Sequence, residues 1–166
     1  MSAIIYVIDT SYLLELFGCG RDSNKTASDE VRKRFKQANV TGARFYVPLP
    51  CLFELGDHVA DVKHAELREK LVNQLVSTVR SSLESSKPWT ITPTGSPETV
   101  LPKLLERFAP VAIKQSIGLV DAFTWDEAAR LKTKLAEVKA RVHIWTNDRN
   151  LKGKEPDVEA NPFLWG

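Results

Sequence analysis

The run AIIYVI at residues 3–8 is short, apolar throughout and rich in β-branched side chains, and it opens the chain. A run of this kind predicts a strand covered on both faces, so layers must pack above and below it. Further strands are expected at 43–48 (ARFYVP, stopped by Pro48), at 89–92 (WTIT, weaker) and at 141–146 (RVHIWT). Between them the apolar residues recur at helical spacing. A helix is expected at 11–17, then a break at 18–24 in GCGRDSN, then a charged helix at 26–39 carrying Val31 and Phe35 four apart. Residues 50–62 read as a helix opened by proline, and 65–83 as an amphipathic helix with Leu67, Leu71, Leu75 and Val79 on one stripe. Residues 81–88 read as a polar loop. Ser96 and Pro97 open a helical stretch whose course Pro102 and Pro110 obscure, and 119–139 is the clearest helix. The terminal NPFLWG is expected to dock by its aromatic side chains. Strands separated by helices predict parallel pairing through right-handed crossovers. The expected fold is therefore α/β, a three-layer α/β/α arrangement on a parallel sheet of four to five strands, with residues 1–166 as a single domain.

Composition narrows the class. A chain of 166 residues with 43% hydrophobic and 27% charged residues fits one globular domain with a sizeable core. No apolar run approaches the roughly 18 residues of a membrane span. The N-terminus lacks the basic, apolar and small-residue regions of a signal peptide. Cys19 and Cys51 are too few for a disulfide framework and stand in no metal-binding spacing. A cytoplasmic protein with reduced thiols is the expectation. The net charge of +2 selects no partner by itself.

The chemistry is concentrated in four acids. In open parallel sheets ligands bind beyond the carboxyl ends of the strands. Asp9 follows the first strand directly, and Asp148 follows the last almost directly, in WTND. Taken singly, each fits a helix cap, for which Asp is a preferred residue. Asp121 weighs against that. On a helical wheel it lies at the N-terminal end of the apolar stripe formed by Trp125, Ala128, Ala129 and Leu135, while Asp126 and Glu127 fall on the solvent flanks. Lys132 also falls on the stripe, where a long side chain can snorkel. A carboxylate on a packing face is costly unless paired or coordinated. Glu54, in PLPCLFELGDH, borders the apolar face of its helix. It reads equally as an i, i+4 partner of His58, and Asp57 and Asp61 lie near the same side.

The order of Asp9 in VIDTS, Glu54 in PLPCLFELGDH, Asp121 in GLVDAFTWDEAA and Asp148 in WTND resembles the PIN-domain nucleases, best known as the VapC-type toxin ribonucleases. The resemblance runs from residue 4 to about 151. Each motif is short, whereas their order and placement on strand end, helix, helix start and strand end are more specific. The resemblance implies four acids around one or two divalent cations, Mg²⁺ or Mn²⁺, and hydrolysis of phosphodiester bonds, usually of RNA. It implies that Thr146, the hydroxyl of the T-x-D motif, orders the site. The chain departs from the family pattern in its long 64–118 segment and in Phe123 and Trp125, which interrupt the small residues that usually follow the third acid.

Physical reasoning runs the same way. Two unit charges about 4 Å apart repel by roughly 4 kcal/mol at an effective dielectric near 20. Four converging carboxylates therefore need protons or a cation, and hard divalent ions take oxygen ligands. Asp9 and Asp148 are the expected primary ligands. Glu54 and Asp121 are expected to hold a second ion or to orient and deprotonate water, with Thr10 and Ser11 as hydrogen-bond donors behind the ligands. Arg149 and Lys152, with Lys154, lie just past Asp148 and are the expected phosphate contacts. The Arg32, Lys33, Arg34 and Lys36 cluster reads as a solvated helix face. Trp89, Trp145 and Trp165 read as core. The expected function is a metal-dependent endoribonuclease. Its expected partners are RNA, an antitoxin protein if it is a toxin, and a second copy of the chain. The alternatives are a weakly catalytic RNA-binding scaffold and an RNA-processing or repair nuclease. A haloacid dehalogenase-type phosphatase expects D-x-D, and Ser11 stands at that position; a dinucleotide-binding module needs a glycine-rich turn that DTSY lacks.

Overall fold

A computed structural model describes residues 2–19, 25–92 and 95–164. The described elements run β1 (Ile4–Ile8), α1 (Thr10–Phe17), α2 (Lys25–Val40), β2 (Arg44–Pro48), α3 (Leu49–Ala60), α4 (Ala65–Ser85), β3 (Thr90–Thr92), α5 (Pro97–Gln115), α6 (Leu119–Lys134), β4 (Arg141–Trp145) and α7 (Arg149–Lys152). The four strands are parallel throughout, in the order β3-β2-β1-β4. The sheet is four-stranded, the lower of the two expected counts, and β4 lies at its edge.

Side-chain alternation along β1 and β4 divides the core into two layers. Ile5 and Val7 pair in register with Val142 and Ile144, and with Ala128, Leu131 and Leu151 they form one buried cluster. Ile8 and Trp145, from the alternate positions, join Tyr12, Leu13, Val31, Phe45, Val47, Leu55, Leu71 and Trp89 in the other. Helices thus cover both faces, which is why β1 could be apolar at every position. Trp89 and Trp145 are core residues, as expected. Phe163 packs against the same cluster and its carbonyl accepts the Tyr12 hydroxyl, which docks the terminal segment; Trp165 lies outside the described residues, as do residues 20–24 of the expected break.

Several boundaries differ from expectation for local reasons. α4 continues to Ser85, so the polar loop is confined to its end, where Ser86 turns left-handed. α5 runs unbroken through Pro102 and Pro110. The carbonyls that lose a helical donor belong to Glu98 and Glu106, both on the exposed side of α5, where water can serve them. α6 stops at Lys134 rather than 139, because Leu135 closes the helix and Lys139 takes a left-handed φ of 50° on the way into β4. Gly18 ends α1 at φ 67°, a conformation that favours glycine.

The edge of β4 is finished by side chains. The carboxylates of Asp157 and Glu155 accept the Val142 and Ile144 amides at 2.7 and 3.0 Å, occupying donors that would otherwise invite another strand. Lys132 snorkels from the packing face of α6 to Asp157 and the Ala140 carbonyl. No described helix is long and apolar enough to cross a membrane.

Candidate acidic site

β1 leads to β2 on one side, and β4 returns on the other, so the strand order reverses at the β1–β4 pair. That is where an open parallel sheet has its ligand crevice. The Asp9 amide donates to the Trp145 carbonyl at 3.0 Å, which sets the two strand ends side by side. Asp9 is 5% exposed and occupies the N-cap of α1, yet its side chain makes no capping bond. Its Oδ2 instead accepts the Ser11 hydroxyl at 3.0 Å and the Thr146 hydroxyl at 2.9 Å. Capping therefore does not account for Asp9. Burial raises its carboxyl pKa, and the hydrogen bonds from Thr146, Thr10 and Ser11 oppose the rise.

The two hydroxyls also hold the β4 side of the cleft. Thr146 Oγ1 accepts the Asp148 amide at 3.0 Å, and Ser11 Oγ accepts the Asn147 amide at 2.9 Å. Asp148 does cap α7. Its Oδ1 accepts the Asn150 and Leu151 amides at 2.7 and 3.0 Å, which orients the carboxylate and leaves Oδ2 without a donor among the described residues.

Glu54 comes from α3, and the Thr10 hydroxyl donates to its Oε2 at 2.6 Å. This bond to Thr10 distinguishes Glu54 from Asp57, on the same helix, and from Asp61, which closes it. Asp121 is the third residue of α6, following the Gly118 N-cap. Its carboxyl is pushed up to about 7, by burial first, then by the charges of Asp9 and Asp148, with a further contribution from Glu54; a hydrogen bond from the Gly118 backbone opposes the rise. Asp121 thus lies within electrostatic reach of the other three acids.

Two residues behind the site escaped the sequence reading. Cys51 Sγ lies 3.8 Å from Asp9 Oδ1 as donor and 3.4 Å from Thr124 Oγ1. Burial pushes the Cys51 thiol up, as does Asp9, so it stays a neutral packing group. The available signal was spacing: Cys51 stands three residues before Glu54 and Thr124 three after Asp121, each on the same helical face as its acid.

Two expectations need correction. Lys152 is 8% exposed, and its ammonium donates to the Ile144 carbonyl, Glu155 and Glu159 at 2.9, 2.7 and 2.7 Å. All three donors are used beneath β4, so it is not available to a phosphate. Glu127, expected on a solvent flank, is 3% exposed and accepts Thr92 and Arg130, because β3 and α6 close over it. Arg149 is exposed at the start of α7 and makes no ion pair among the described residues.

Whether the cluster suits a divalent cation can be judged from its donors. Among the described residues no group of three or more His, Cys, Asp or Glu side chains is drawn to metal-holding spacing. Mg²⁺, however, is typically held by one or two carboxylates and keeps several waters. Asp9 and Asp148, hard oxygen donors oriented by hydroxyl and amide groups on adjacent strand ends, meet that requirement. The Asp121 carboxyl is raised by burial first and by the neighbouring carboxylates second, and a cation would offset the second of these.

The chain matches no protein-family model and no curated protein sequence.

One consequence concerns pH. Asp121 has an unfolded pKa near 4 and a folded value of about 7. Its contribution to stability is complete below about pH 4 and is lost as pH rises through about 7. Asp121→Asn should therefore flatten the loss of metal-free stability across that window. After solvent screening of a partly exposed group, the variant should exceed the wild type by about 1 kcal/mol at pH 8. Melts of both proteins in EDTA at pH 5 and pH 8 measure the difference.

Proposed function

We propose that this chain is a divalent-metal-dependent nuclease that hydrolyses RNA phosphodiester bonds, acting through Asp9, Glu54, Asp121 and Asp148. One observation carries the reading. Four acids from two helices and two adjacent strand ends gather near the sheet's switch point, where burial first and the charges of the other three acids second push the Asp121 carboxyl up to about 7. Stabilising a fold does not call for such a cluster; holding a cation does.

In this reading Asp9 and Asp148 hold Mg²⁺ or Mn²⁺. The bound ion supplies charge neutralisation and Lewis-acid polarisation of the phosphodiester. Thr146 and Ser11 keep the Asp9 carboxylate turned toward the cleft, and Thr10 does the same for Glu54. Asp121, poised near neutral pH, is suited to take a proton from the attacking water. The finer form of the proposal places the chain in the cytoplasm as a toxin-like endoribonuclease, neutralised by an antitoxin that offers a basic residue to the acidic cleft, and working as a pair of copies.

The test is to incubate the purified protein with mixed single-stranded and folded RNA, in Mn²⁺ or in EDTA, and to sequence the products. Cleavage in Mn²⁺ alone is expected. RNA that is bound but stays intact in both conditions would instead make the chain a scaffold.

A further inference from the structure

Two residues broke the small-residue pattern after Asp121, and they have different fates. Phe123 is buried with Leu104 and Ala122, where α5 packs on α6. Trp125 is only half-buried, and with Lys103, Arg107 and Asp126 it lines an open groove of about 520 Å³ between α5 and α6. That volume falls within the range of small-ligand sites. Trp125 lies one helical turn beyond Asp121, on the same face of α6, so the groove opens about one turn along the helix from that acid.

Two cations stand over its ring. The Arg107 guanidinium carbon is 4.4 Å from the ring centroid, and the Lys154 ammonium 5.1 Å. They are held differently. Arg107 also pairs with Asp126 at 3.0 Å, which anchors it. Lys154 lies in the segment that follows Asp148 and α7; its backbone amide donates to the Leu151 carbonyl, but its ammonium makes no hydrogen bond or ion pair among the described residues besides the ring contact. A ligand that brings both an aromatic face and an anion would offer Trp125 a stacking partner and Lys154 a better one. A nucleotide unit of a single strand is such a ligand.

We infer that Trp125, with Lys154 and Arg107, forms a subsite that stacks a base of single-stranded RNA and takes its phosphate beside the acidic cleft. The inference rests on the nuclease reading for its substrate, but binding tests it without catalysis. Lys154 exchanges the ring for the phosphate, while Arg107 stays on the ring and keeps the groove wall in place. The strand then runs from the groove between α5 and α6 toward Asp121. This also assigns the cationic contact expected of Lys152 to a neighbour two residues along.

The test measures binding of a fluorescein-labelled single-stranded oligouridylate RNA of about eight nucleotides, in EDTA, by anisotropy across a range of salt. Trp125→Leu should weaken binding about 10-fold, and Trp125→Phe, which keeps a ring, about 3-fold. Lys154→Gln should lower the slope of log affinity against log salt by about 0.7, the loss of one phosphate contact on a single strand. If Trp125→Leu fails to fold, the Phe and Gln variants decide the question. Wild-type affinity and salt slope in all the folded variants would overturn the subsite, even if the wild type cleaves RNA. Binding that depends on Trp125 in a protein that never cleaves would uphold the subsite and remove the hydrolytic reading. No binding by the wild type would overturn the subsite outright.

Discussion

Asp9→Asn is expected to lower metal-dependent RNA cleavage by about 10²- to 10³-fold and to leave the fold intact. That is the scale of losing a preorganised electrostatic group at a reacting phosphate. The fold should survive because asparagine has the same shape and its amide oxygen still accepts from Thr146 and Ser11. Burial already disfavours the charged carboxylate, so a neutral group at this position costs the empty protein nothing. Metal-free Asp9→Asn should melt at or above the wild-type temperature while being nearly inactive. Asp57→Asn is the control. It lies on the same helix as Glu54, exposed and away from the Thr10 bond, and should cleave at the wild-type rate. Initial rates for the three proteins in Mn²⁺, with matched melts in EDTA, measure both halves. Wild-type activity in Asp9→Asn would separate this acid from the chemistry.

What the sequence disclosed, it disclosed through periodicity. The uniform apolar run of β1 required helices on both faces, and the acids at the ends of β1 and β4 followed from the behaviour of parallel sheets. Glu54 shows where that kind of reasoning ends. Its helical wheel could not separate it from Asp57 and Asp61, because the deciding contact is with Thr10, 44 residues earlier. Lys152 had the composition of a phosphate contact, and only the tertiary return of Glu155 and Glu159 beneath β4 shows its charge to be spoken for. Glu127 fell on the polar side of its wheel, but the wheel contains no β3 to cover it. The course of α5 was obscure for a related reason. Proline cost depends on whether the orphaned carbonyls face water, and exposure belongs to the fold rather than to the segment. Asp148 proved to be both a cap and a member of the cluster, two readings the sequence had set against each other.

If the four carboxylates form one cation site, a thermal melt reveals it without requiring the natural RNA. Wild type and Asp9→Asn would be melted near pH 7.5 in EDTA, Mg²⁺ or Mn²⁺. An ion that binds only the native state stabilises it by about 2.7 kcal/mol at a hundredfold excess over Kd. For a chain of this size that amounts to a rise of roughly 5–10 °C. The wild type should show this rise, and Asp9→Asn should show a much smaller one from an equal or higher metal-free starting point. No response in the wild type, or an equal response in both proteins, would show that the acids do not act as one site, and the nuclease reading would fall with it.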